Sequence, residues 1–70
     1  MIKMNNYLCI LQEIMMYPKK FQSDFCRYNA HCVAELASRQ HISSVLKGEQ
    51  MSKWYITDKG ISLLKDMGWL

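Results

Sequence analysis

Pro18 is the only proline in the chain, and it decides where the first long element must stop. Its ring disfavours helical dihedrals at the preceding residue, so a helix starting near the N-terminus ends close to Met16. Upstream, Met4, Tyr7, Leu8, Leu11, Ile14 and Met15 recur with the i, i+3, i+4, i+7 spacing of one buried helical face. Cys9, Ile10 and Met16 fall outside that stripe, leaving Asn5, Asn6, Gln12 and Glu13 as the polar positions. A helix apolar over most of its circumference has something on both sides. Either it is the central helix of a small core, or Cys9, Ile10 and Met16 meet a second copy or another partner.

Size limits the rest. A chain of 70 residues makes one domain, residues 1–70, and buries only about 60% of its unfolded surface. Its net stability is then at most ~3–5 kcal/mol without a staple or a partner. Hydrophobic residues at 50% and charged residues at 21% exclude a disordered tail. The longest apolar run, from Tyr7 to Leu11, is far short of the ~20 residues of a membrane span. Gln12 and Glu13 interrupt any signal-peptide pattern, so a cytoplasmic protein is expected. Three cysteines, Cys9, Cys26 and Cys32, cannot all pair within one chain, which fits reduced thiols. Nine basic and six acidic side chains give a net charge of +3, which permits a nucleic-acid partner without requiring one.

Beyond Pro18, Lys19-Lys20 reads as a solvated turn, and Ser23 or Asp24 offers a helix N-cap. No Gly or Pro interrupts the run to Gln40, and Phe25, Tyr28, Cys32, Val33 and Leu36 form an inward stripe. This stretch is either one helix or two helices broken near Asn29, which is suited both to a left-handed turn and to an N-cap. Ile42 to Leu46 is β-compatible, Gly48-Glu49-Gln50 is a turn, and Lys53-Trp54-Tyr55-Ile56-Thr57 is a strong strand. Alternation sets Trp54 and Ile56 on one face, with Lys53, Tyr55 and Thr57 on the other. Thr57 or Asp58 caps a last helix carrying Ile61, Leu64 and Met67 on one side. Gly68 then stands where a helix end favours a left-handed residue.

The stretch from Trp54 through Thr57-Asp58-Lys59-Gly60 to Leu63-Leu64 resembles the end of a winged helix-turn-helix domain. There a second wing strand closes on a Tyr-hydrophobic-Thr run, followed by a glycine and a leucine-bearing helix. Val33-Ala34-Glu35-Leu36 and Ile42-Ser43-Ser44-Val45 look like the recognition helix and first wing strand of that family, with Gly48-Glu49-Gln50 at the wing tip. The resemblance spans residues 23–68 and implies an α+β fold: three helices, a two-stranded wing hairpin and a C-terminal helix. It also implies binding to double-stranded DNA, with the helix near 29–40 in the major groove and the wing, 41–57, against the backbone. The residues it places there are Asn29, His31, Glu35, Ser38 and Arg39 on the helix, with Lys47 and Lys53 flanking the wing tip. The pattern departs from the family in charge: the reading helix carries one firm cation, Arg39, against Glu35. Small stand-alone domains of this kind resemble regulators of phages and other mobile elements.

Other chemistry finds little support. Cys26, His31, Cys32 and His41 lack the short paired spacing of a structural zinc site and diverge around their helices, so no metal and no cofactor are expected. Gly48, Gly60 and Gly68 are isolated, which leaves no phosphate-cradling loop, and no nucleophile-base set stands out. An enzyme is not expected. The sequence therefore points to a small cytoplasmic DNA-binding transcriptional regulator, homodimeric through its first helix. The alternative is a protein-binding module of the same fold, an inhibitor or antirepressor without direct DNA contact.

Overall fold

The computed structural model describes residues 3–70. In chain order these form α1 (Met4–Met16), β1 (Lys19–Lys20), α2 (Asp24–Tyr28), α3 (Ala30–Ser38), β2 (Ile42–Leu46), β3 (Glu49–Ile56) and α4 (Asp58–Asp66). The strands make one antiparallel sheet in the order β1-β3-β2, so the chain is α+β with four helices.

α1 ends at Met16, two residues before Pro18, as the proline requires. It buries Tyr7, Leu8, Leu11 and Ile14, and it packs against α3, α4 and β3. These side chains join Cys26, Cys32, Val33, Leu36, Ile42 and Leu64 in a single core. Ile10 and Met15 pack on that core too, so α1 is largely accounted for within one chain. Met4, expected on the buried stripe, is exposed at the first residue of the helix.

Residues 24–40 are two helices. Ser23 caps α2 by accepting from the Cys26 N–H at 3.3 Å, and Asp24 stands in the first turn, where its charge suits the helix dipole. The break falls at Asn29, with φ −115° and ψ 30°, which is neither left-handed nor a side-chain N-cap. Its amide Nδ2 instead donates back to the Phe25 carbonyl at 2.8 Å and closes α2. The break resets the helical phase. Tyr28, read from spacing as an inward residue, is 86% exposed, and Cys26 is buried in its place.

α3 and α4 end alike. His41 N–H bonds the Leu36 carbonyl at 2.9 Å and Gln40 N–H the Ala37 carbonyl at 3.0 Å; Trp69 and Gly68 do the same to Leu64 and Lys65, at 2.8 and 3.1 Å. Each closure needs a left-handed residue, which is Gly68 (φ 78°) in one and Gln40 (φ 65°) in the other. A side chain in that region costs about 1 kcal/mol or more. Gln40→Gly is accordingly expected to raise the urea unfolding midpoint, by roughly 0.5–1 kcal/mol of stability. A lowered midpoint would count against this account of the α3 terminus.

Two expectations need correction at the sheet. Lys19-Lys20 is a strand and not a free turn, pairing Lys19 with Trp54 and Lys20 with Lys53. The hairpin tip is Lys47-Gly48, with φ 52° and 81°, between the paired Leu46 and Glu49. Positive φ at both residues is what a two-residue turn matching the strand twist demands, so the tip falls ahead of the expected Gly48-Glu49-Gln50. At the edge, the Ser43 hydroxyl accepts the Val45 N–H at 3.0 Å and donates to the Val45 carbonyl at 3.4 Å. Trp54 and Ile56 face the core as alternation requires. Register puts Lys20 beside Lys53, and Ser43 beside Tyr55, on the opposite, outer face.

The β3–α4 joint follows the sequence closely. Thr57 Oγ1 accepts the Gly60 N–H at 3.1 Å and donates to the Gln40 carbonyl at 2.7 Å, tying α4 to the end of α3. Gly60 lies buried against the His41 backbone.

Candidate functional site

The residues expected to read DNA separate into three places. Asn29, His31, Glu35, Ser38 and Arg39 lie along α3 and its ends. His31, Ser38 and Arg39 are exposed, Glu35 is half-buried, and the half-buried Asn29 uses its amide to close α2. Lys47 stands alone at the hairpin tip. Lys53 does not flank the tip; it lies farther along β3, opposite Lys20 on the outer sheet face. Of the residues assigned to a partner contact on α1, Cys9 and Met16 are exposed, whereas Ile10 packs against the core.

Charge on α2 and α3 is paired within each helix, and at the hairpin tip it only sums to zero. On α2, Arg27 Nη1 lies 3.5 Å from Asp24 Oδ1. At the end of α3, Arg39 Nε lies 3.0 Å from Glu35 Oε2, and its guanidinium stands 5.7 Å from the Tyr7 ring centre. At the tip, Lys47 is followed two residues later by Glu49. The chain's excess of positive charge therefore resides in the sheet, in Lys19 and Lys20 of β1 and Lys53 of β3, since α1 with its flank (Lys3 against Glu13) and α4 (Lys59 and Lys65 against Asp58 and Asp66) are each balanced. There Lys19 is held by Glu13 at 2.7 Å and lies 4.7 Å from the Phe25 ring centre.

Beneath α3 sits a pair that spacing did not reveal. Tyr7 on α1 and the buried His41, 34 residues apart, are joined by a 2.6 Å contact between the Tyr7 hydroxyl and Nδ1. Burial, helped by the nearby Lys59 and Arg39 cations, pushes the His41 imidazole below its ordinary range; the Tyr7 hydroxyl and Nδ1 share one hydrogen bond, its direction set by the ring's tautomer. Burial likewise raises the Tyr7 phenol and the Cys32 thiol. Since folded His41 binds its proton less readily than the unfolded chain does, stability is full above about pH 6.5 and declines as pH falls below that value. A urea midpoint that stays flat from pH 7.5 to 5 would exclude this role. Tyr7→Phe removes the hydroxyl that satisfies the buried Nδ1 and is expected to cost ~1–3 kcal/mol at neutral pH.

Among the described residues no three His, Cys, Asp or Glu side chains converge as a metal site, and no helix is long and apolar enough to cross a membrane. An open groove of about 390 Å³ runs between α1 and the α2–α3 corner, with Asn6, Ile10, Tyr28 and His31 in its walls.

The fold and these surfaces define a small α+β protein that presents an exposed helix and hairpin on a core completed by a long first helix. The chain is 48% identical over 66 residues to the gene 5.7 protein of Enterobacteria phage T3, covering 93% of this chain and 96% of that protein. It is equally 48% identical over 66 residues to the fusion protein 5.5/5.7 of Escherichia phage T7, of which it spans 39% of the length. The chain belongs to the phage gene 5.7 protein family. No protein-family model matches it, and no solved structure matches it.

Proposed function

We propose that this chain is a winged helix-turn-helix module that a phage uses in the host cytoplasm to bind a regulatory protein, as an inhibitor or antirepressor, without reading duplex DNA. The winged reading rests on element order: α2 and α3 joined through Asn29, then the β2–β3 hairpin, with β1 closing the sheet beside β3.

The observation that carries the protein-binding reading is the charge balance of α2, α3 and the hairpin tip. Duplex binding draws much of its free energy from cations that neutralise phosphates and release counterions. Here Arg27 and Arg39 are each engaged by a carboxylate on their own element, and Lys47 has Glu49 close by in sequence. A duplex laid on this face would have to break the Arg39–Glu35 pair and then accept Glu35 and Asp24 near its phosphates. A protein surface imposes no such demand, and the exposed Tyr28 of α2 and Val45 and Leu46 of the hairpin suit the mixed polar and apolar character of protein interfaces.

Two measurements decide between the readings. A mobility-shift titration with random duplex DNA is expected to give no complex at physiological salt. A pull-down from host lysate is expected to retain its partner after nuclease treatment and to lose it in Ala34→Arg, which adds bulk to the outer face of α3. Duplex binding that weakens steeply with salt, together with capture abolished by nuclease, would restore the DNA-regulator reading.

A further inference from the structure

We propose that the groove between α1 and the α2–α3 corner docks a short segment of a partner protein, taking an aliphatic side chain on its floor and a carboxylate at its rim. This inference rests on the protein-binding reading above and locates where the partner is gripped beside α3.

One groove brings both kinds of wall together. Lys3, Asn6 and Ile10 recur at i, i+3 and i+7 along a single line of α1 and its N-cap, about 10 Å of helix. Tyr28, His31 and Cys32 face them across an open volume of about 390 Å³, within the ~300–1,000 Å³ typical of ligand clefts. Depth sorts these side chains by polarity. Ile10 packs on the core and Cys32 is buried, so the floor is apolar. Lys3, Asn6, Tyr28 and His31 are exposed at the rim. Among the described residues none of those four side chains is engaged in a hydrogen bond or an ion pair.

Charge at the groove has one sign. Among the described residues no carboxylate lines it. The one acid of α1, Glu13, lies about 15 Å along the helix from Lys3 and is held by Lys19 at 2.7 Å. Glu35, one turn beyond His31, is held by Arg39 at 3.0 Å. α1 and α3 both start at the groove with no acidic residue in their first turns, so the partial positive charge of those helix ends adds to that of Lys3. Tyr28, 86% exposed, supplies a rigid aromatic wall of the kind that concentrates binding energy at protein interfaces.

The complement of this groove is an aliphatic side chain seated between Ile10 and Tyr28, with a neighbouring carboxylate at Lys3 and Asn6. Three extended residues, at ~3.3–3.6 Å each, span its length. A nucleic-acid strand fits less well. A base can stack on Tyr28, but strand binding draws on several neutralised phosphates, and Lys3 is the one firm cation lining the groove.

The test titrates the full ¹⁵N-labelled chain with a short synthetic peptide alternating aspartate with leucine; a lysine-for-aspartate peptide and a single-stranded oligonucleotide serve as controls. Amide shifts are expected at residues 3–10 and 28–32 with the acidic peptide alone. Lys3→Glu is expected to weaken peptide binding about tenfold, and Lys3→Arg to retain it. The glutamate stands at the start of α1, where negative charge is favourable, so the unfolding midpoint should hold or rise, a combination that misfolding cannot produce. Tyr28→Ala removes an exposed ring and is expected to weaken binding with the midpoint unchanged. Shifts centred on the sheet or α4, equal binding of the lysine peptide or the oligonucleotide, or no binding by the wild-type chain would each overturn the proposal. Nuclease-resistant partner capture that survives both Lys3→Glu and Tyr28→Ala removes this groove while leaving the protein-binding reading in place. Capture that depends on nucleic acid removes that reading itself.

Discussion

Gly60→Ala is expected to remove a large part of the protein's stability. A Cβ built at this position overlaps the backbone carbonyl oxygen of His41 and comes 2.8 Å from Ile56 Cγ1. The first obstacle is main chain, already fixed by the Thr57 N–H donating to the His41 carbonyl and by His41 N–H closing α3. Relief therefore requires α4 to move away from the end of α3, which also disturbs the Thr57 bonds to Gln40 and Gly60. Overpacking of this kind costs about 1–3 kcal/mol, a large share of the ~3–5 kcal/mol that a domain this size can hold. Circular dichroism melts should show a broad, early transition or none. Gly48→Ala and Gly68→Ala provide the contrast: both glycines have positive φ, but no atom lies within 4 Å of a Cβ at either, so only backbone strain is added. A Gly60→Ala protein melting with the wild type would refute the close-approach argument.

Leu11→Ala is expected to have an effect of the same order by the opposite route. Leu11 is wholly buried near the middle of α1, a helix in contact with α3, α4 and β3. Truncation removes apolar area and leaves a space that the surrounding helices close only in part, a combination that costs about 2.7–5 kcal/mol. In a chain with so little reserve the folded fraction falls sharply, and urea titration would detect it without needing any activity. Met16→Ala on the same helix removes a side chain that is 58% exposed and should change the midpoint by no more than ~0.5 kcal/mol. Equal losses in the two variants would mean that α1 does not organise the core.

What could be read from the sequence was local. Pro18 stops α1 through sterics at its own neighbour, and the Thr57–Gly60 joint is a contact over three residues; both are present as expected. The period-two alternation of Trp54 and Ile56 survives because the core covers one face of β3. What could not be read depends on partners distant in sequence. Two consecutive lysines have no propensity that marks a strand; β1 exists because β3 supplies its hydrogen bonds. One helical phase carried across Asn29 sets Tyr28 inward, but the phase is broken there and Tyr28 is exposed. The separation of Lys53 from the hairpin tip, the Tyr7–His41 bond and the Lys20–Lys53 opposition all follow from tertiary pairing, for which spacing gives no signal. The same holds for the candidate site. Its residue types were visible, but the ion pairs that neutralise α2 and α3 emerge only once side chains have directions.

The Ser43 hydroxyl, which takes up both the N–H and the carbonyl of Val45, has a bearing on the open border of the sheet. β2 is an outer strand of the sheet, and Val45 and Leu46 are exposed upon it. An apolar border strand with vacant peptide groups is a template onto which another chain can add, the first step towards insoluble assemblies. Ser43 occupies those groups at the most apolar point of the border. Val45 and Leu46 are thereby left available for side-chain recognition while strand-by-strand stacking is refused. A single hydroxyl thus blunts the border of the sheet where it is most apolar.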